Sequence, residues 1–274
     1  MSDTRFRANQ GVIVPGPPPH CPPDWLTGPP DFVGVGAQRS GTTRWFDLLV
    51  QHPEIETPPA TRKELHYFDR FHPGGFTAED AAVYHDYFPR PPGRLTGEWT
   101  PVYLAAPWVP PMLAAAAPDA KLLVSLRDPV ERYLSGLQRH HRVARASDTR
   151  LNAMAPLDAF MRGFYHAQLT QLLAHFDRSQ VLILQYERCV REPVSQLRRT
   201  FAFLSLRDTG FLPDLAAHPN HQPDKPELHP DARDALARAY LPDVARLADD
   251  FAEIDIGLWP NFAHLLVSGA SGRP

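Results

Sequence analysis

The chain has 274 residues, 43% of them apolar, with a formal net charge of −3, enough for one large α/β domain or two small ones around a buried core. That charge excludes a general nucleic-acid binder, which carries a basic excess, and the two cysteines, Cys21 and Cys189, exclude a disulfide framework. No run approaches the roughly 18 apolar residues of a membrane span, and the first residues hold no apolar signal core, so the expectation is a soluble, cytoplasmic protein of a reducing compartment.

Residues 1–30 are expected to form an extended leader, because prolines crowd "PGPPPHCPPDWLTGPP" at 15–30. Residues 32–37 (FVGVGA) predict a buried strand, and 42–51 a helix ended by His52-Pro53. A brief strand, a proline break and a loop are expected over 54–69. Thr77 with Asp80 three residues on predicts a capped helix over 77–88. A short strand ends near Glu98, and "AKLLVSLRDP" (120–129) gives a second strong strand. Pro129 suits the first turn of the helix that follows. Residues 144–155 are expected to be a mobile loop. Pro156 opens another helix, with Phe160, Phe164, Leu169, Leu172 and Leu173 near helical spacing. "QVLILQYE" (180–187) is a third strand and 193–206 an amphipathic helix. Residues 211–230 are irregular, and 230–251 form a final helix or a pair broken at Pro242. The domain is expected over 31–266 and a frayed tail over 267–274.

Strands alternate with helices, which predicts one α/β domain with a parallel sheet and right-handed crossovers. Ligands bind at the carboxyl ends of strands in such sheets. The loops after Ala37, after Leu126 and around Glu98 should therefore share a site.

The first of these loops, "GAQRSGTT", has the outline of a phosphate-binding turn. Gly41 permits close approach, helix N–H groups attract an anion, Thr42 and Thr43 offer hydroxyls, and Arg39 adds a charged donor fork. Thr42 stands where a triphosphate-binding loop has Lys. One phosphate-like group held without metal is expected; the plain alternative is a tight turn with no ligand. A second anion site is expected where Arg127 ends a strand and Ser135 follows in the next helix, the two side chains clasping a separate phosphate. The alternative there is a surface Asp128–Arg132 pair.

With both segments in view the chain resembles the sulfotransferases that use 3′-phosphoadenosine 5′-phosphosulfate. The first loop resembles their 5′-phosphosulfate loop and "LRDPVERYLSG" their 3′-phosphate motif. "RKELHYFD" (62–69) is similar to the Lys-Glu-x-His-Phe-Phe stretch of the heparan-sulfate type and its bacterial relatives. "GEWTPVYL" (97–104) resembles their Glu-x-Ser/Thr-Pro-x-Tyr segment, and residues 162–187 their following helix–strand unit. The resemblance runs in order over about residues 31–260.

It implies a P-loop-like α/β fold with a central parallel sheet between helices. It also implies transfer of a sulfuryl group, without metal, to a hydroxyl or amine of a carbohydrate, lipid or natural product, leaving 3′,5′-adenosine bisphosphate. Glu64 is the implied base and His66 the runner-up; Glu98 is a third candidate, or an anchor for Arg39 or Lys63. Arg39 stands where the family usually has Lys and should contact the phosphosulfate, with Lys63 as the other candidate cation. Gln38, Ser40, Gly41, Thr42 and Thr43 complete the 5′ end; Arg127 and Ser135 take the 3′-phosphate; Tyr165 and Lys225 are candidates near the nucleotide. Glu98 and Tyr103 are placed near the acceptor. Membrane spans and nucleic acid are not expected as partners. His140, His141, His218, His221 and His229 lack a zinc-like spacing. A small-molecule kinase and a noncatalytic nucleotide-binding protein are the alternatives.

Overall fold

The computed structural model describes residues 15–57, 63–71, 75–146, 154–217 and 227–264, with only the backbone of 140–146. In these, β1 (Phe32–Gly36) leads through the glycine turn into α1 (Thr42–Leu49). A capped α2 (Ala78–His85), a three-residue β2 (Gly97–Trp99) and α3 (Val109–Ala116) follow, then β3 (Lys121–Leu126) and the long α4 (Pro129–Ala146). Beyond them come α5 (Ala155–Met161), α6 (Tyr165–Leu173), β4 (Val181–Gln185), α7 (Tyr186–Arg191), α8 (Pro193–Phe203) and α9 (Pro230–Asp250).

The four strands are all parallel, in the order β2-β1-β3-β4. Alternation along them explains the layering, since successive side chains point to opposite faces. Val33, Val35, Leu122, Val124, Val181 and Ile183 join one core, which the buried residues of α3, α6 and α9 complete. Phe32, Trp99, Leu123, Leu182 and Leu184 join the other, against Trp45, Phe46, Leu48 and Leu49 of α1 and Leu197 and Phe201 of α8. Both faces of the sheet are thus covered, as near-continuous apolar strands require. Gly34 makes this packing possible, because a Cβ there would overlap the Trp99 ring.

Four local expectations change. The strand after Glu54 shrinks to a single bridge between Ile55 and Leu95. The one helix from Pro156 is two, α5 and α6, parted at Gly163, where a Cβ would meet the Tyr240 ring. The third strand stops at Gln185 and the chain turns helical at Tyr186. The last helix runs unbroken through Pro242, held from inside by Tyr240, Val244 and Leu247. The Thr77–Asp80 capping box is present as read. The expected tail at 267–274 lies outside the described residues, as do residues 1–14 of the leader.

Candidate functional site

The glycine turn is built by its neighbours. Gly41 caps α1 at φ 76°, a left-handed conformation natural to glycine, and no side chain caps the helix. A Cβ at Gly41 would lie 2.7 Å from the Tyr186 ring. The turn is tied back to β3: the Ala37 N–H donates to the Ser125 carbonyl at 2.8 Å, and the Ser125 hydroxyl donates to the Ser40 carbonyl at 2.7 Å. Gln38 is half-buried at its start, and Arg39 sits at φ 73°.

Two segments far apart in sequence meet on this turn. Arg39 Nε donates to Ser135 Oγ at 3.1 Å, and Arg127 donates to the Arg39 carbonyl at 3.3 Å while its guanidinium lies 4.6 Å from the Tyr186 ring centroid. Arg39 thus takes the Ser135 hydroxyl while Arg127 braces the Arg39 backbone, so the two candidate 3′-phosphate residues both adjoin the glycine turn. From the other side Lys63 reaches in. Its ammonium donates to Thr42 Oγ1 at 3.1 Å, Thr43 Oγ1 at 3.2 Å and Glu64 Oε1 at 2.9 Å. A cation at a helix N-terminus opposes the helix dipole. Here three cationic side chains and that N-terminus converge.

The residues around the turn suit an anion. Burial holds the Lys63 ammonium below its ordinary value, with Glu64 countering in part. The Ser40 hydroxyl is buried without a hydrogen-bond partner. It lines a small cleft with Gly41, Arg44, Trp45, Ser125, Tyr186, Cys189 and Val190. An orphaned donor and a helix N-terminus with no side-chain cap are groups that an anion could satisfy.

Glu64 and His66 form a charged chain. His66 Nε2 lies 3.3 Å from Glu64 Oε2, and its Nδ1 lies 2.7 Å from Asp69 Oδ2. Burial pushes the imidazole down, but hydrogen bonds and charge from Asp69 and Glu64 outweigh it and raise His66 to about 9. Burial likewise pushes the Glu64 carboxyl up, yet His66 and Lys63 hold it down at about 2. At neutral pH this is a carboxylate gripped by two cations. Asp69 belongs to the same cluster and went unnoticed in the sequence, although its i,i+3 spacing from His66 was there to read.

Glu98 and Tyr103, expected near an acceptor, are 0% and 1% exposed. Glu98 accepts hydrogen bonds from the Tyr84 hydroxyl (2.8 Å), the Thr100 hydroxyl (2.5 Å), the Tyr103 hydroxyl (3.3 Å) and the Leu65 N–H (3.1 Å). Burial raises its pKa and those donors counter it. Tyr165 is also fully buried: its hydroxyl donates to the Arg127 carbonyl at 2.9 Å and its ring packs on Trp259. It supports the end of β3 from the core rather than facing a ligand. Lys225, His218 and His221 lie outside the described residues, as do the side chains of His140 and His141; His229 caps α9. Among the described residues no cluster of His, Cys, Asp and Glu could hold a metal ion, and no helix is long and apolar enough to cross a membrane.

Sequence reading missed the base of this shelf. Asp128, fully buried, accepts from the N–H groups of Val130 and Glu131 and from the backbone and side chain of Asn261. Glu187 accepts from the Asp128 N–H at 3.1 Å and the Trp259 indole at 3.0 Å, and burial pushes it up to about 7. The C-terminal segment is thereby fastened behind Arg127.

Comparison with known proteins agrees with this architecture. A model of the sulfotransferase family matches residues 108–210. Mouse heparan sulfate glucosamine 3-O-sulfotransferase 3B1 is 33% identical over 189 residues, 65% of this chain and 46% of that protein. Mouse heparan sulfate glucosamine 3-O-sulfotransferase 6 is 30% identical over 73% of this chain and 63% of its own length. A solved sulfotransferase from Alicyclobacillus acidocaldarius superposes with a TM-score of 0.66 and 29% identity, covering 84% of this chain and 98% of that one. The chain spans about half the length of the curated relatives it matches first.

Proposed function

Because the chain belongs to the sulfotransferase family, we propose that it moves a sulfuryl group from 3′-phosphoadenosine 5′-phosphosulfate to a hydroxyl of a carbohydrate. The observation that supports this reading best is the 3.1 Å contact between Arg39 and Ser135, which brings the two candidate anion-binding segments side by side. The heparan-sulfate relatives favour the carbohydrate acceptor.

When bound, the nucleotide supplies the sulfuryl group and a phosphate leaving group. The α1 N-terminus, Gly41, Thr42 and Thr43 would hold its 5′ end, and Arg127 and Ser135 its 3′-phosphate. Arg39 offsets charge without titrating, since guanidinium stays protonated below about pH 12. Lys63 is the compact cation beside it.

Glu64 is the group that takes the acceptor proton. His66 is charged at neutral pH with both ring nitrogens paired, so it orients Glu64 instead of acting as base. In the resting arrangement Lys63 holds the carboxylate as a weak base. Turning the ammonium towards a bound anion would weaken that hold and raise the proton affinity of Glu64.

Calorimetric titration with 3′,5′-adenosine bisphosphate and with ATP, each with and without magnesium, tests the nucleotide. Metal-independent preference for the bisphosphate is expected; magnesium-dependent preference for ATP would overturn the reading. Radiolabelled sulfate transfer to a partly desulfated heparan oligosaccharide tests the acceptor class, and incorporation into the sugar is the expected result.

A further inference from the structure

The segment that carries Glu64 and His66 has no regular structure of its own, yet its backbone is pinned by four hydrogen bonds. Its backbone lies along residues 98–103. The Trp99 N–H donates to the Lys63 carbonyl at 2.7 Å. The next anchors come from three successive N–H groups. Leu65 donates directly to Glu98 Oε2 at 3.1 Å; His66 donates to Thr100 Oγ1 at 3.2 Å; Tyr67 donates to the Tyr103 hydroxyl at 2.8 Å. Both hydroxyls in turn donate hydrogen bonds to Glu98, at 2.5 Å and 3.3 Å. Three consecutive amides therefore converge, directly or through one hydroxyl, on a single buried carboxylate.

Successive backbone N–H groups make a concavity that attracts an anion, and here the anion is an internal side chain. The device has a local cost, because His66 is held at φ 55°, where a side chain with a Cβ is strained. Such strain persists only when the surroundings over-determine it. Glu98, Thr100 and Tyr103 are 0%, 0% and 1% exposed, so nothing about them needs solvent or a ligand in contact.

We propose that Glu98, Thr100 and Tyr103 are positioning residues that fix the backbone of 65–67 and thereby aim Glu64 and His66 into the cleft. This rests on the proposed sulfuryl transfer for its effect on rate, but not for its effect on His66. Glu98 is not a base in this arrangement: both its oxygens are filled by donors. The relay through hydroxyls explains why a Thr and a Tyr follow the Glu at two and five residues.

The test uses Thr100→Val, which keeps the volume and removes the hydroxyl, with Thr100→Ser as the conservative rescue and Tyr103→Phe as an independent break in the relay. Three quantities are read on each: the dissociation constant for 3′,5′-adenosine bisphosphate, the NMR titration of the His66 imidazole, and kcat for transfer to the desulfated heparan oligosaccharide. Thr100→Val and Tyr103→Phe should each leave the dissociation constant within about threefold and lower kcat by about 10²-fold, as small misplacements of reacting groups do. Both should bring the His66 midpoint down by about a unit or more as the imidazole loses its seat between Asp69 and Glu64. Thr100→Ser should restore both values. A Thr100→Val protein that titrates and turns over like the parent would overturn the proposal; if that variant fails to fold, Tyr103→Phe decides on the same readings. A parent protein that transfers no sulfate would sink the proposed function and leave the titration to judge the positioning role.

Discussion

Lys63, Glu64 and His66 make one electrostatic unit, and its members can be separated by substitution. Glu64→Gln should lower kcat by about 10²–10⁴-fold, the usual worth of a general base, while the dissociation constant for 3′,5′-adenosine bisphosphate stays within about threefold by calorimetry. A variant with full turnover would move the base elsewhere. His66 gives a stability prediction. Its folded pKa, about 9, lies above its ordinary value of 6.5, so the folded form binds the proton more tightly. The stabilisation is complete below about pH 6.5 and is lost as pH rises through about 9. Melting temperature followed by calorimetry should decline across that window, and His66→Asn, which tolerates a left-handed backbone, should flatten the decline. At this scale the sequence disclosed the residue types and concealed their meeting. Lys63 lies 21 residues from Thr42 and Ser135 lies 96 from Arg39. Nothing in a linear pattern says that an ammonium from one loop completes the turn of another. The motif resemblance did name Glu64, Arg39 and Ser135; the reach of Lys63 and the internal role of Glu98 needed the three-dimensional arrangement.

Among the elements, the strands were legible because they are short apolar runs between Gly and Pro, and α1 and α4 because their periodicity starts at clear boundaries. The reading lacked α7, hidden at the end of an apolar strand, and α3: two consecutive prolines at its start look like a break, although the first turn of a helix needs no N–H from them. The same residue misled in the opposite direction at Pro242, where packing of Tyr240 and Val244 keeps α9 continuous. The turn before α1 carries the sharpest prediction here. Gly41→Ala places a Cβ 2.7 Å from the Tyr186 ring at φ 76°. It should destabilise the protein by about 1–3 kcal/mol in urea unfolding and weaken 3′,5′-adenosine bisphosphate binding at least tenfold. Unchanged affinity would show that the turn does not hold the nucleotide.

At the scale of the molecule, the parallel sheet brings the ends of β1, β3 and β4 together, and the last described segment closes the structure behind them. Glu187 and Asp128 sit there as two buried acids, one accepting from Trp259 and the other from Asn261. The folded pKa of Glu187, about 7, exceeds the ordinary value of 4.5, so folding favours its protonated form. Stability should therefore fall as pH rises from about 4.5 to about 7, a lower window than that of His66. Glu187→Gln should make this slope shallower in a denaturation series while leaving the alkaline one, the rest coming from other raised carboxyls such as Asp128; an unchanged acid-side slope would remove Glu187 from it. The backbone that follows Arg127 is held through Asp128 and Glu187 by the amide of Asn261 and the indole of Trp259. A chain cut short after Asp255 would strip the Trp259 and Asn261 donors from two buried acids. Residues 259–261 thus act as a clamp on the β3–α4 junction, holding from behind the backbone that carries Arg127.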